Sequence, residues 1–314
     1  MNNILFVGGA GFIGSNLIKT FIKNREFNVF VFETPFANIS RISIYENNVT
    51  LIRGFLSDYD LLHSVIKDYR IQTVVHLVST LIPGSTYDDY KREFENIIFP
   101  TVRLMSLCAE KKIKFVYFSS GGTVYGNDVN EKFNELDALA PISYYGLSKQ
   151  IIENSILFDH RSKSLRYLII RPSNPFGSGQ ALHANQGLIA VAISKILSDE
   201  PIAVWGDGTS IRDYIYIDDL SDAFFQLIDK NVENDTINIG SGFGYSIHDI
   251  IARLKNIAGD GIKVKYENSR SVDVTKMVLD ITKLHSYIDV NHTPLETGMR
   301  KFYDQIKMIL KNEG

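Results

Sequence analysis

One cysteine, Cys108, is all that 314 residues contain. A disulfide within the chain is therefore impossible, which suits a cytosolic setting. Cys108 lies in Leu104-Met105-Ser106-Leu107-Cys108-Ala109 and reads as a buried helix position rather than a nucleophile. Charge of one sign is equally scarce: 33 Lys and Arg stand against 36 Asp and Glu, a net charge of −3. Neither nucleic acid nor an anionic membrane surface has an electrostatic claim on such a chain. Long apolar runs are missing too, and none approaches the ~18 residues of a spanning helix. The sequence opens on a strand with no basic stretch before it, so no signal peptide is expected. The seven histidines show no metal-ligand spacing, and no metal is expected. His76, at the end of an apolar strand, reads as structural. There are no internal repeats, low-complexity tracts or long linkers.

Hydrophobic residues make up 45% of the chain, enough for a full core in one or two domains. The first apolar run, Ile4-Leu5-Phe6-Val7, reads as a buried strand. Gly8-Gly9-Ala10-Gly11-Phe12-Ile13-Gly14 follows at once, and a helical pattern starts near Phe12. This strand–turn–helix context is what a dinucleotide fingerprint requires. Gly8 allows the tight turn, Gly11 lets the backbone approach a pyrophosphate, and Gly14 lets helix and strand pack closely. The helix start, with Phe12 and Ile13, offers free N–H groups to phosphate. The spacing is Gly-x-x-Gly-x-x-Gly rather than Gly-x-Gly-x-x-Gly. A glycine-rich turn without a ligand is the competing reading.

The second strand, Asn28–Phe32, ends at Glu33. An acid there accepts hydrogen bonds from ribose hydroxyls and repels the extra phosphate of NADP, which favours NAD. Arg41 could soften that preference. Far downstream, Tyr145 and Lys149 are spaced to share one helical face. A tyrosine near its ordinary pKa of about 10 is a poor base at neutral pH. A nearby ammonium and a positive nicotinamide favour the phenolate. Lys149 can also hold the nicotinamide ribose.

Strand candidates at Ile4–Val7, Asn28–Phe32, Thr50–Ile52, Thr73–Leu77, Phe115–Phe118 and Tyr167–Ile170 alternate with helix candidates. The helices are read at Gly11–Lys23, Tyr59–Asp68, Tyr90–Lys111 and Tyr145–Arg161. This predicts an α/β fold, a doubly wound parallel sheet with right-handed crossovers and ligands at the strand carboxyl ends. Beyond Arg171–Gly177 the pattern is mixed, with helices at Leu188–Leu197, Leu220–Leu227 and Ser246–Ala258 and strands at Ile202–Trp205, Tyr214–Ile217 and Ile237–Ile239. Asp58 is expected to cap the helix from Tyr59, and Asp218 and Asp219 the helix from Leu220. Asp88 and Asp89 read as a solvated loop.

Several ordered segments carry a resemblance along nearly the whole chain. They are Gly8–Gly14, Phe118–Gly126, Tyr145–Lys149, Arg171–Gly177, Trp205–Gly208, Arg212–Leu220 and Asn238–Gly242. On these the chain resembles the extended short-chain dehydrogenase/reductase family, in its UDP-glucose 4-epimerase-like, nucleotide-sugar epimerase branch. The resemblance implies a Rossmann-like NAD-binding domain at 1–173, with a return segment near 211–240. A smaller C-terminal α/β substrate domain would occupy 174–314. It implies NAD as cofactor and a nucleotide-diphosphate sugar as substrate, with UDP the favoured nucleotide. It also implies a cytoplasmic homodimer paired through helices around 94–107 and 147–157, in surface-polysaccharide sugar synthesis.

The resemblance also carries over roles. Gly8, Gly11, Gly14 and Glu33 would hold NAD. Leu77, Val78 and Ser79 would line the cofactor and Ser119 would also contact it, with Asn96 near its nicotinamide side. Tyr145 would be the base and Lys149 its helper. Asn174, Arg212 and Arg270 would hold the diphosphate, Asp273 the nucleoside ribose, and Trp205 the nucleobase, with Leu188 also at the substrate. Two positions depart from the family pattern. Gly121 stands where a Ser or Thr usually completes the triad, so Ser120 or Thr123 must supply that hydroxyl, Thr123 being slightly favoured. Phe55 replaces an acid that usually binds adenine, and could pack on the ring instead. Relatives that eliminate water or decarboxylate place carboxylates just before Val-Tyr-Gly. Gly121-Gly122-Thr123 has none.

Three functions follow as alternatives. The first is a 4-epimerase working through a transient 4-keto sugar. The second is an NAD(P)H-dependent 4-keto nucleotide-sugar reductase. The third, kept alive by Gly121, is a catalytically idle NAD-binding protein.

Overall fold

The computed structural model describes residues 2–127, 130–182, 187–268, 274–290 and 292–313. The first half runs β1 (Asn2–Val7), α1 (Phe12–Asn24), β2 (Phe27–Glu33), a short α2 (Ser40–Ser43), β3 (Val49–Arg53), α3 (Tyr59–Asp68) and β4 (Thr73–His76). There follow α4 (Tyr87–Glu93), a π-helical turn (Phe94–Ile98), α5 (Phe99–Glu110), β5 (Lys114–Phe118), α6 (Tyr144–Lys163) and β6 (Tyr167–Pro172). The second half runs β7 (Asn174–Phe176), α7 (Leu188–Leu197), β8 (Ile202–Trp205), β9 (Ile211–Tyr216), α8 (Ile217–Asp229) and β10 (Asp235–Ile239). It closes with β11 (Gly244–Ser246), α9 (Ile247–Ala258), β12 (Val264–Glu267), β13 (Lys276–Met277), α10 (Thr282–Tyr287) and α11 (Leu295–Glu313).

Seven strands form one parallel sheet in the order β10-β6-β5-β4-β1-β2-β3. The chain winds outward from β1 in one direction to β3 and in the other through β4 to β10. The reversal falls between β1 and β4, which is where doubly wound sheets bind ligands. Both faces are covered. Leu17 and Phe21 of α1 meet Phe224 of α8 on one face. Leu62, Leu104 and Ile152 from α3, α5 and α6 fill the other. Burial on both sides explains why these strands read as continuous apolar runs.

The remaining strands build around β9, which pairs with β7, β11 and β13, while β8 pairs with β12. Ile193, Ile250 and Phe302 of α7, α9 and α11 close a second core against Phe176 and Tyr216.

Local expectations fail where a side chain finds a different partner. The helix read at 90–111 begins three residues earlier, at Tyr87, and is interrupted by the π turn. Asp88 and Asp89 lie in its first turn, and Asp89 closes a capping box with Thr86. Asp58 does not cap α3; its carboxylate accepts from Phe55 N. Nor do Asp218 and Asp219 cap α8, which starts at Ile217, inside the strand read at Tyr214–Ile217. Asp219 instead accepts from Thr293 N and Oγ1. Cys108 is fully buried, and burial pushes its thiol up. No helix among the described residues is long and apolar enough to cross a membrane.

Candidate active site at the sheet reversal

The turn after β1 is built for a close neighbour. Gly8 has φ +81°, and a Cβ there would lie 2.8 Å from Val78 Cγ2 and 3.2 Å from Val78 N. Gly14 presses onto the same turn, since its Cβ would lie 2.5 Å from Gly9 O. Gly11 differs: it is exposed, and a Cβ would meet nothing closer than Gly8 O at 3.8 Å. Gly11 is the N-cap of α1, and no side chain caps that helix. The first-turn N–H groups, at Phe12 and Ile13, thus face an open cradle suited to an anion. These residues fit a dinucleotide pyrophosphate.

Glu33 ends β2 with its carboxylate against this loop, accepting from Ala10 N at 2.6 Å. Burial raises its pKa, opposed by the N–H groups of Ala10 and Thr34 and by Arg53. Arg41 donates from Nε to Gly179 O at 2.8 Å. Across the reversal, Leu77 N donates to Val7 O, and Val78 packs on Gly8. Ser79 Oγ donates to Glu93 Oε1 at 3.0 Å.

Helix α6 begins at the carboxyl end of β5, with Ser143 capping Gly146 N. Lys149 is buried, and its Nζ donates to Phe118 O at 3.0 Å. That nitrogen lies 5.6 Å from the Tyr145 ring centroid and 5.0 Å from that of Tyr117. Burial brings the Lys149 pKa down to about 8, while Glu93 and Glu153 support the ammonium. Burial pushes the Tyr145 phenol up, a hydrogen bond with Ser120 pulls it down, and Glu93 pushes it up again. The lysine thus does not by itself make the phenol acidic. A positive nicotinamide is the remaining charge that could do so.

Of the two candidate hydroxyls, Ser120 is the one brought to Tyr145. Among the described residues, Thr123 Oγ1 is buried without a hydrogen-bond partner, as are Ser119 Oγ and Ser173 Oγ beside the ends of β5 and β6. Gly121 is explained by crowding. A Cβ there would lie 2.7 Å from Leu279 Cδ1 and 3.0 Å from Arg171 O.

Helix α6 is tied to the sheet by a buried ion pair. Arg171 on β6 donates through Nε and Nη2 to both carboxylate oxygens of Glu153, four residues past Lys149. Its Nη1 donates to Tyr125 OH, which donates to Asn238 Oδ1 on β10.

The other sequence candidates scatter. Asn174 Nδ2 donates to Asp213 O at 2.8 Å, and its Oδ1 faces Gly122. Arg212 lies on β9, half-buried, with Nη1 donating to Ile211 O. Trp205 ends β8 with 41% of its surface exposed, and Leu188 opens α7. Arg270 and Asp273 lie outside the described residues. Asn96 is not brought to the cleft. It is exposed in the π turn, and its amide donates to Arg92 O on its own helix. The wider turn shifts the facing residue, and Glu93 points inward instead. Sequence reasoning passed over Glu93, which falls inside the helix read at Tyr90–Lys111 among charged neighbours, with no local signal that it is buried. Phe55 is 45% exposed, its ring 6.4 Å from that of Phe36. No group of three His, Cys, Asp or Glu among the described residues could hold a metal.

Fold and cleft together define a nucleotide-binding enzyme class, and the chain belongs to the NAD-dependent epimerase/dehydratase family, whose profile matches residues 4–240. It is 29% identical over 319 residues to dTDP-4-dehydro-6-deoxyglucose reductase of Escherichia coli, covering 98% of each chain. UDP-glucose 4-epimerase of Thermotoga maritima, solved with UDP-glucose, superposes with a TM-score of 0.91 at 28% identity, covering 98% of this chain and 99% of that one. UDP-glucuronic acid 4-epimerase of Bacillus cereus, solved with UDP-glucuronic acid and NAD, gives 0.89 at 28% identity, with the same coverage.

Proposed function

We propose that this chain is an NAD-dependent nucleotide-sugar 4-epimerase, acting on a UDP-linked sugar. The observation that carries the reading is Tyr145 beside Lys149 at the carboxyl end of β5, next to a Gly121-Gly122-Thr123 segment that offers no carboxylate. Elimination needs a second acid–base group there, whereas inversion at one carbon needs a single base.

Bound NAD supplies a reversible hydride acceptor, so that oxidation of carbon 4 to a ketone and its reduction from the other face invert the centre. Tyr145 takes the proton of the carbon-4 hydroxyl and later returns it. Lys149 supplies positive charge beside the phenol, and Ser120 a hydroxyl to it. The open cradle at Gly11 receives the pyrophosphate, and Glu33 the adenosine ribose. Asn174 and Arg212 take the sugar diphosphate, where a guanidinium fork suits phosphate oxygens. Trp205 serves the nucleobase and Leu188 the substrate; the resemblance adds Arg270 and Asp273. Exposed Phe99 on α5 and Phe158 on α6 support pairing of two copies through these helices.

Incubation with UDP-glucose, UDP-N-acetylglucosamine and other nucleotide sugars, without added cofactor, tests the reading by NMR of the anomeric products. Inversion of at least one is expected, and inversion of none overturns it. The 29% identity to a 4-keto sugar reductase along 98% of the chain favours a second reading, net reduction. Stoichiometric loss of reduced-cofactor absorbance with a 4-keto-6-deoxy nucleotide sugar identifies that activity.

A further inference from the structure

Glu93 ends α4 with 2% of its surface exposed. Burying a carboxylate is costly unless its oxygens are satisfied. Here Oε1 accepts from Ser79 Oγ, and Oε2 from Thr80 N and Thr80 Oγ1. No salt bridge among the described residues includes it, so its donors are neutral groups of the turn after β4. That turn follows Val78, which packs on Gly8 of the cofactor loop. Helix α4 packs on α6, and Glu93 acts electrostatically on both Tyr145 and Lys149.

We propose that Glu93 is a positioning residue of this site: its carboxylate fixes the Ser79–Thr80 turn at the cofactor cleft and sets the charge against which the Tyr145–Lys149 pair ionises. This rests on the reading of Tyr145 as the base. Of the two carboxylates that support the Lys149 ammonium, Glu153 is ion-paired and Glu93, among the described residues, is not. On α6, Glu153 is taken up by Arg171. On β4, burial brings His76 down to about 3, so it is neutral. On β5, burial holds Tyr117 protonated. On α4 itself Lys91 and Arg92 are exposed, as is Glu95 in the π turn, and Arg92 pairs with Asp89. A fixed anion disfavours a second anion nearby and favours a cation. Burial is the larger influence, raising the phenol and lowering the ammonium; beside it Glu93 favours the protonated phenol and the charged lysine while the cleft lacks a positive nicotinamide.

Glu93→Gln keeps the shape and removes the charge; Glu93→Asp keeps the charge on a shorter arm. Ionisation of Tyr145 is read without cofactor, as the ultraviolet difference between each protein and its Tyr145→Phe counterpart. The phenol should ionise at lower pH in Glu93→Gln, with Glu93→Asp intermediate. Both limbs of the kcat–pH profile should move to lower pH in the same order, and the Kd for NAD should rise. Identical phenol titrations in Glu93→Asp and the unchanged protein, or in all three, overturn the proposal, and the aspartate variant decides if the glutamine variant does not fold. Full turnover by Tyr145→Phe would defeat the base assignment separately, because the titration needs no turnover.

Discussion

Leu279 occupies the space that any side chain at position 121 would need, with Cδ1 2.7 Å from the place of a Cβ on Gly121. Gly121→Ser therefore cannot restore a hydroxyl without displacing a fully buried leucine. It should cost ~1–3 kcal/mol through overpacking. Leu279→Ala alone should cost ~2–5 kcal/mol through the cavity it opens. The double variant should lose less than the sum, and chemical denaturation of all four proteins measures that coupling.

Ser120 and Thr123 should separate cleanly. The Ser120 hydroxyl lowers the Tyr145 pKa. Its loss in Ser120→Ala raises that pKa, so the acidic limb of the activity profile moves to higher pH. Thr123→Val removes a buried hydroxyl that has no hydrogen-bond partner among the described residues, and should leave that limb in place. Equal displacement in both variants would remove Ser120 from its place beside the base.

The Arg171–Glu153 pair is buried on both sides and ties α6 to β6. Glu153→Ala leaves a guanidinium uncompensated in the core, which typically costs ~3–5 kcal/mol. A lowered denaturation midpoint with an unchanged slope is the expected result. Cofactor affinity should fall with it, because Lys149 lies one turn away on the same helix.

His76 gives a stability trend with pH. It is fully buried, its Nε2 pairs with Thr101 Oγ1 at 2.9 Å, and burial lowers its pKa from 6.5 to about 3. Below pH 6.5 the unfolded chain takes up a proton that the folded chain refuses until about pH 3. The stability present above 6.5 is therefore lost progressively as pH falls through this window. His76→Gln removes the titrating group, and its stability should decline less steeply there, as measured by denaturant titrations at several pH values.

The sheet was legible because its determinants are local. Ile4–Val7 followed by Gly8, and Asn28–Phe32 followed by Glu33, announce strand, turn and cleft within a few residues. Tyr145 and Lys149 were legible for the same reason, since helical spacing alone sets them side by side. Glu93 was not, because its burial depends on Ser79 and Thr80 across a turn and on a widened helical turn after it. Leu279 beside Gly121 is likewise a long-range contact that no pattern near either residue encodes. Asp219 reads as a cap by its position, yet its partner, Thr293, lies far along the chain.

Strand β10 completes the central sheet at β6, although β7, α7, β8, β9 and α8 separate the two in the chain. During synthesis, β6 leaves the ribosome with one flank of N–H and C=O groups unpaired, and every residue in it is destined for the interior. An open, apolar border of this kind adheres to other chains. A nascent polypeptide halted before Asp235 would expose it indefinitely. Until Ile239 emerges, that border of β6 has no native strand to cover it.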